Sequence, residues 1–414
     1  MDKSLGWHER IQHNGTLGVV VLSIEPMGLE AAIEWSLPPS KSHMIRWLAL
    51  AAQAEGDTAL NFTGSVGEDV LSMSSSLERI GARIEKDESK WVVSGVGSRG
   101  FRAPEKVLDC GNSATAARFL MTIAAGMGNP VSLDGDQSLR QRDMSALASV
   151  LRKLGCEVTS DTLPLTVTGP VVPGSVHLDI SASSQPLSAL LLASPGYSGV
   201  IHIKTSSHSV SRGYSELSYE LAGRCGSSNE MSSDGVAIVP WRPITPNEAK
   251  IPGELSLLPL AMLLAELHDV KVVLNGGDLE LSGAMMELAE RTEILDLRDE
   301  SDIIAPAAAL MALGGGGKIT GIAHTRGKES DRISSTVSLL NCFGMEAREV
   351  DDGIEIIGEQ SPVRPKLPVD SQGDHRLAMT AMILASKCGG SVNGAEVCAV
   401  SDPDFIDKLM ILGD

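Results

Sequence analysis

Apolar and polar positions fall in long blocks along this chain. Six stretches rich in Ala, Leu and Met stand out: "RWLALAAQAEG" from Arg46, "AARFLMTIAAG" from Ala116, "PLSALLLASPG" from Pro186, "SLLPLAMLLAEL" from Ser256, "IAPAAALMALGG" from Ile304 and "RLAMTAMILASKCGG" from Arg376. A helix that is apolar all round belongs inside a protein, so each stretch predicts a buried helix. Each then runs through a turn into a strand-like segment: "TALNF", "PVSLDG", "GVIHIKT", "VKVVLNG", "KITGIAH" and "GSVNGAEV". A second helix often follows and ends at glycine, as in "LSMSSSLERIG", "SALASVLRKLG", "SELSYELAGRCG" and "TVSLLNCFG", where glycine suits a C-cap.

The starts of the six stretches are spaced 70, 70, 70, 48 and 72 residues apart. Such regularity points to internal duplication of an αβ unit, three copies lying on either side of about residue 250. Ahead of each apolar helix stands a polar segment: "LPPSKSHMIR", "DCGNSATAAR", "DISASSQ", "KIPGEL", "RDESDII" and "DSQGDHR". Equivalent positions in a repeat occupy equivalent places, so six helix N-termini are expected to face common ground. Free N–H groups and the positive dipole end favour anions there. The fourth and fifth segments bring carboxylates, Glu254 and Asp302, and the others bring Ser, Thr, Gln, Lys or Arg. A phosphate-lined cleft with a localised acid or base is the economical reading.

Charge sharpens this picture. The 414 residues are enough for two domains, and the formal net charge of −19 opposes non-specific attraction to nucleic acid or anionic membrane. An anionic ligand therefore needs a local cluster of cations. Cys110, Cys156, Cys225, Cys342, Cys388 and Cys398 show no CxxC or zinc-finger spacing and read as buried thiols. The start, "MDKSLGWHERIQHNG", shows no signal-peptide pattern, and no apolar run reaches the roughly 18 residues of a membrane helix, so a soluble cytoplasmic protein is expected.

Cations do cluster in "RGKESDR", residues 326–332. One reading is a solvated helix start, with Ser330 capping, Asp331 in the first turn, and Lys328 and Arg332 four apart. The other is an anion site. Lys41, Ser42 and Arg46 in "SKSHMIR", Arg118 in "GNSATAAR", Arg142 in "GDQSLRQRDM", and Ser183, Ser184 and Gln185 in "SASSQPLSALL" are individually weak signals. His375 in "GDHRLAM" reads equally as a satisfied polar group.

In this order, however, "PSKSHMIR", "GNSATAAR", "GDQSLRQRDM", "SSQPLSALLLASP", "SRGY", "RGKESDR" and "DHRLAM" resemble the 5-enolpyruvylshikimate-3-phosphate (EPSP) synthase family, from about Leu37 to the C-terminus. The resemblance implies an α/β fold of two lobes, each of three βαβαββ-type units in an inside-out barrel. Residues 1–36 with 251–414 would form one lobe and 37–250 the other, with the active site in the cleft between them. It further implies transfer of the carboxyvinyl group of phosphoenolpyruvate to the 5-hydroxyl of shikimate 3-phosphate in aromatic amino acid biosynthesis, without a metal or other cofactor, by a monomer.

By motif, Lys41, Asp302, Lys328 and Glu329 would be catalytic, Glu329 moving a proton at the enolpyruvyl carbon and Asp302 acting as base on the attacking hydroxyl. Arg142, Arg332, Arg376, Lys41 and Gln185 would hold phosphoenolpyruvate, beside Ala114 and Thr115. Ser42, Arg46, Ser183, Ser184 and Ser211 would hold shikimate 3-phosphate. Guanidinium forks and ammonium groups suit such phosphate and carboxylate partners.

The chain departs from the family pattern at Ile45, where asparagine is usual, in "RDM" for "RPM", in "SRGY" for "SRPY", and at Asp402, where a cation is expected. Ala114, where many members have glycine, implies reduced inhibition by glyphosate. The sister transferase acting on UDP-N-acetylglucosamine expects a "KN" start and a loop cysteine, both missing here. RNA 3'-terminal phosphate cyclases share the fold, but acidity and absent signatures speak against a nucleic-acid partner. A binding paralogue without turnover is the alternative of a different class, and retained Lys41, Glu329, Arg332 and Arg376 speak against it.

Overall fold

All six predicted apolar helices form, and each is followed by its predicted strand. The computed structural model describes residues 11–14, 19–205, 209–230, 235–275 and 281–413. The extreme N-terminus, on which the signal-peptide reading rested, lies outside them. In chain order the helices are α1 (Lys41–Gln53), α2 (Glu68–Arg79), α3 (Ala114–Ala125), α4 (Ser145–Lys153), α5 (Gln185–Ala193), α6 (Arg212–Arg224), α7 (Leu258–His268), α8 (Gly283–Ala289), α9 (Ile304–Leu313), α10 (Arg332–Cys342), α11 (His375–Cys388) and α12 (Phe405–Ile411). The apolar stretches are α1, α3, α5, α7, α9 and α11.

The chain divides into two compact units: residues 1–38 with 253–414, and residues 39–252. In the second unit α1, α3 and α5 pack against one another at the centre, every residue of α1 from Met44 to Gln53 being buried. In the first unit α7, α9 and α11 do the same. Helices placed inside rather than outside their sheets must be apolar on every face, which is why these segments lack an amphipathic pattern. Among the described residues, no helix is long and apolar enough to cross a membrane.

Among the described residues, six small sheets accompany the two helical cores. Within a repeat, the strand before a central helix pairs in parallel with the strand after it, as Leu108–Asp109 does with Val131–Asp134 around α3. An antiparallel hairpin such as Arg83–Lys86 with Lys90–Ser94 extends the sheet. The fourth repeat is short because its sheet has, among the described residues, only Lys271–Asn275 and Ala32–Ser36, with no such hairpin.

Two strands are exchanged along the sequence. Ala32–Ser36 leads into α1 yet pairs in parallel with Lys271–Asn275, the strand after α7. Glu248–Lys250 leads towards α7 yet pairs in parallel with Asp57–Asn61, the strand after α1. Each crossover thus completes a sheet of the unit it leaves.

The cysteine reading needs correction at two positions. Cys110, Cys156, Cys225 and Cys398 are buried, but Cys342 is exposed and Cys388 half-buried, because each ends its helix where the chain returns to the surface. Burial pushes the thiols of Cys156 and Cys225 up to about 11 and that of Cys398 to about 12, so they stay protonated and inert.

Candidate active site

The polar segments ahead of the central helices fold into two sets of side chains, one in each unit. In residues 39–252, Lys41 opens α1 and its Nζ lies 3.0 Å from Asp69 Oδ2 on α2. Ser42 is half-buried, and its carbonyl accepts from Arg46 Nη1 at 2.9 Å. Arg46 is only 1% exposed. Its Nε donates to Ser218 Oγ at 2.8 Å and its Nη2 to the Tyr214 carbonyl at 2.9 Å, while the Phe119 and Tyr214 rings lie 5.5 and 5.8 Å away. These contacts fix α1 against α6, so Arg46 is at least a structural strut. Ile45, in place of the family's asparagine, is fully buried in the apolar core.

α3 begins with Ala114 and Thr115, capped by Ser113, whose Oγ accepts from Ala116 N at 3.2 Å. The turn before it needs glycine: Gly111 has φ +55°, and a Cβ there would stand 2.7 Å from Ser72 Oγ. Arg118 reaches the Gln185 side chain at the start of α5 and the Asp143 carbonyl. Arg142 Nη2 donates to Asn112 Oδ1 at 2.5 Å. Asp143, which replaces the usual proline, accepts from Ser145 N and Oγ at 2.8 and 2.7 Å and so steadies the start of α4.

Ser183 accepts from Gln185 N at 3.2 Å, and buried Ser184 donates to the Ser211 carbonyl at 2.8 Å. Ser211 sits in the left-handed region with φ 54° and ψ 41° just before α6. For a residue with a side chain this costs about 1 kcal/mol, and the Ser184 bond helps hold it. Gly213, in place of the family's proline, has open space around a would-be Cβ, so no packing contact demands glycine there.

In the other unit the ionic network is denser. Arg332, the first residue of α10, is 3% exposed. Its Nη1 donates to Asp302 Oδ1 at 2.6 Å, its Nη2 to Glu329 Oε2 at 2.8 Å and its Nε to Asp374 Oδ2 at 2.8 Å. Lys328 Nζ donates to Asp302 Oδ1 at 2.8 Å and to Ser301 Oγ at 3.0 Å. Arg376, at the start of α11, binds the Ser256 carbonyl and Oγ at 2.8 and 2.7 Å, and Ser256 Oγ in turn donates to Glu254 Oε1 at 2.6 Å. The segments ahead of α7, α9 and α11 are thus tied together, with the start of α10 among them. His375 is buried, and its Nε2 accepts from Arg376 Nε at 3.0 Å.

Burial alone would push the Asp302 carboxyl up. The charges of Lys328, Arg332 and Arg376 outweigh it and hold that carboxyl well below the ordinary 3.8, so Asp302 is ionised. For Arg332, burial opposes the charge, and Asp374, Glu329 and Asp302 more than restore it.

The solvated reading of "RGKESDR" fails on the cap. Asp331, not Ser330, caps α10, accepting from Ile333 N and Ser334 N at 3.2 and 3.3 Å. Ser330 donates instead to Asp374 Oδ2 at 3.1 Å. Of its three cations, Arg326 alone is exposed, and it pairs with Asp331 and Glu349.

Two residues escaped the sequence reading. Asp374 has zero exposure and does two jobs, anchoring Arg332 and accepting the Arg376 N–H at 2.9 Å as N-cap of α11. Asp69 is the partner of Lys41. Asp402, where a cation was expected, is 1% exposed and is paired with Lys408. Lys408 Nζ also reaches the Ser36 carbonyl at 3.1 Å and lies over the Trp35 ring. Burial raises the Asp402 carboxyl despite Lys408. Among the described residues, no group of three or more His, Cys, Asp or Glu side chains could hold a metal ion.

The sequence model of the EPSP synthase (3-phosphoshikimate 1-carboxyvinyltransferase) family matches residues 26–218 and 248–409. The chain is 30% identical to a 3-phosphoshikimate 1-carboxyvinyltransferase of Korarchaeum cryptofilum, the match covering 95% of this chain and 98% of that one. It is 34% identical to one of Novosphingobium aromaticivorans, covering 90% and 95%. Among solved structures, EPSP synthase from Acinetobacter baumannii superposes with a TM-score of 0.76 at 24% identity, covering 95% of this chain and 98% of that chain.

Proposed function

The chain belongs to the EPSP synthase (3-phosphoshikimate 1-carboxyvinyltransferase) family, and from that premise we propose how its own side chains divide the work of carboxyvinyl transfer. The enzyme transfers the carboxyvinyl group of phosphoenolpyruvate to the 5-hydroxyl of shikimate 3-phosphate and releases phosphate, a step of aromatic amino acid biosynthesis. The hydroxyl oxygen bonds to C2 of phosphoenolpyruvate while C3 gains a proton. C3 then loses a proton as the C2–O bond to phosphate breaks.

In this reading Glu329 carries the proton to and from C3. Its Oε2 is held at 2.8 Å by Arg332 Nη2, which fixes the carboxylate's direction. Asp302 takes the proton of the attacking hydroxyl. The cations that keep it ionised also make it a weak base, so the proton leaves as the C–O bond forms and the oxygen turns acidic. Lys328, Arg332 and Arg376 hold substrate anions, as do Lys41, Arg142 and Gln185. Ser42, Arg46, Ser183, Ser184 and Ser211 form the shikimate 3-phosphate set, with Ala114 and Thr115 beside phosphoenolpyruvate. Confining two polyanions is repulsive, and these cations offset that repulsion.

The observation that carries this assignment is the shared hold of Lys328 and Arg332 on Asp302, at 2.8 and 2.6 Å, with Glu329 on the same guanidinium. The protein is proposed to act as a cytoplasmic monomer without nucleic acid, and sedimentation of the purified chain tests the monomer. Phosphate release with both substrates, and with each omitted in turn, tests the activity. Glu329→Gln should lose turnover by 100-fold or more, on the order seen for general acid–base groups, while still binding shikimate 3-phosphate. Full turnover by that variant overturns the role of Glu329.

A further inference from the structure

Behind Lys328 stands a histidine that the roles above leave unused. Ser301 Oγ, 2% exposed, lies 3.0 Å from Lys328 Nζ and 3.1 Å from His324 Nε2. An ammonium only donates, so Ser301 Oγ must accept from Lys328. The single proton of the buried hydroxyl needs an acceptor, and among the described contacts of Ser301 Oγ that acceptor is His324 Nε2, as the bare nitrogen of the ring. The proton of the neutral ring then sits on the opposite nitrogen, Nδ1, and the Gly321 backbone also acts on this ring. Burial and then the charge of Lys328 hold His324 down to about 4, so it is neutral at working pH.

We propose that His324 is a positioning residue for Lys328, acting through Ser301 in the relay Lys328 N–H to Ser301 O–H to His324 Nε2. Asp302 and Ser301 together take two of the three ammonium donors. The third is thereby aimed at an incoming substrate anion. A ring in the other tautomer would donate to the second lone pair of the hydroxyl, and the buried Ser301 proton would be left without an acceptor among the described contacts. The inference rests on the carboxyvinyl-transfer reading and adds to it the device that orients one cation.

The test is a double-mutant cycle on kcat/KM with His324→Phe, which keeps a flat ring and removes the acceptor, and Ser301→Ala. Each single change should lower kcat/KM about tenfold, the scale of one hydrogen bond to a charged group. The double variant should be no worse than the poorer single one, because the two residues act in series. His324→Gln, whose Oε1 can accept from Ser301, should recover to within about threefold of the native value. Independent losses that multiply, or a glutamine variant as poor as the phenylalanine one, overturn the relay. A nitrogen-15 spectrum of the native protein, with the His324 signal identified by its loss in His324→Phe, should show the Nδ1–H tautomer. Finding Nε2–H overturns the relay whatever the kinetics. If the native protein releases no phosphate, the carboxyvinyl-transfer reading falls, and the spectrum alone decides the relay.

Discussion

Replacing Asp374 by asparagine separates the two jobs its carboxylate does at once. Oδ1 accepts the Arg376 N–H at 2.9 Å and caps α11, while Oδ2 accepts from Arg332 Nε at 2.8 Å and from Ser330 Oγ at 3.1 Å. An asparagine with its oxygen in the Oδ1 place keeps the cap and turns an amide N–H2 towards the guanidinium. Two donors then face each other at zero exposure. Breaking a buried ion pair by altering one partner costs about 3–5 kcal/mol. Arg332 keeps Asp302 and Glu329, so the lower end, about 3 kcal/mol, applies to Asp374→Asn. Asp374→Ala also removes the cap, worth about 1 kcal/mol more. Urea unfolding followed by circular dichroism, with shikimate 3-phosphate titrated in parallel, measures both variants. Their separation by about 1 kcal/mol tests the cap, and the asparagine loss tests the anchor. An asparagine variant within about 0.5 kcal/mol of native, far short of the ion-pair estimate, would refute the reasoning.

Three further outcomes are expected. Lys408→Met leaves Asp402 buried beside an apolar chain and should destabilise by about 3 kcal/mol, whereas adding Asp402→Leu should restore most of it; urea midpoints of the single and double variants check this. Ala114→Gly removes a methyl at the start of α3 and should strengthen glyphosate inhibition about fivefold to tenfold if that methyl crowds the ligand, read as the competitive constant against phosphoenolpyruvate. Stability should fall as pH drops from about 6.5 towards 4, because unfolded His324 binds a proton that the folded ring, held down to about 4, does not. Below the ordinary 3.8 of aspartate it should fall further, as unfolded Asp302 protonates while the folded carboxylate resists. In urea titrations across this range, His324→Phe should shrink the first phase, to which His268, also lowered by burial, contributes, and leave the second.

The six buried helices were legible because composition alone marks them: a helix apolar on every side has one place to go. The strands after them were legible from their turns. The roles of single polar residues were harder to read. An aspartate before a helix, as at Asp374, reads as a cap, and nothing local announces that its second oxygen anchors an arginine 42 residues earlier. Asp69 is 28 residues from Lys41 and carries no motif of its own. Asp331 took the cap from Ser330 because Ser330 has a buried carboxylate to serve, a partner set by the packing of α10 near α11. The strand exchange was invisible for the same reason, since pairing between residues 32–36 and 271–275 is chosen by distant sequence.

That exchange also sets a timetable for synthesis. Residues 39–252 form a contiguous unit in which each described strand has its partner made once residue 252 is out of the ribosome. Ala32–Ser36 has no such early partner: it waits for Lys271–Asn275. At ordinary translation speeds the interval is roughly ten to fifty seconds, during which a strand bearing Ile33 and Trp35, both destined for the core, is out of place. Strands made early are therefore among the last to pair, and for that interval Ala32–Ser36 is open to a nascent-chain chaperone.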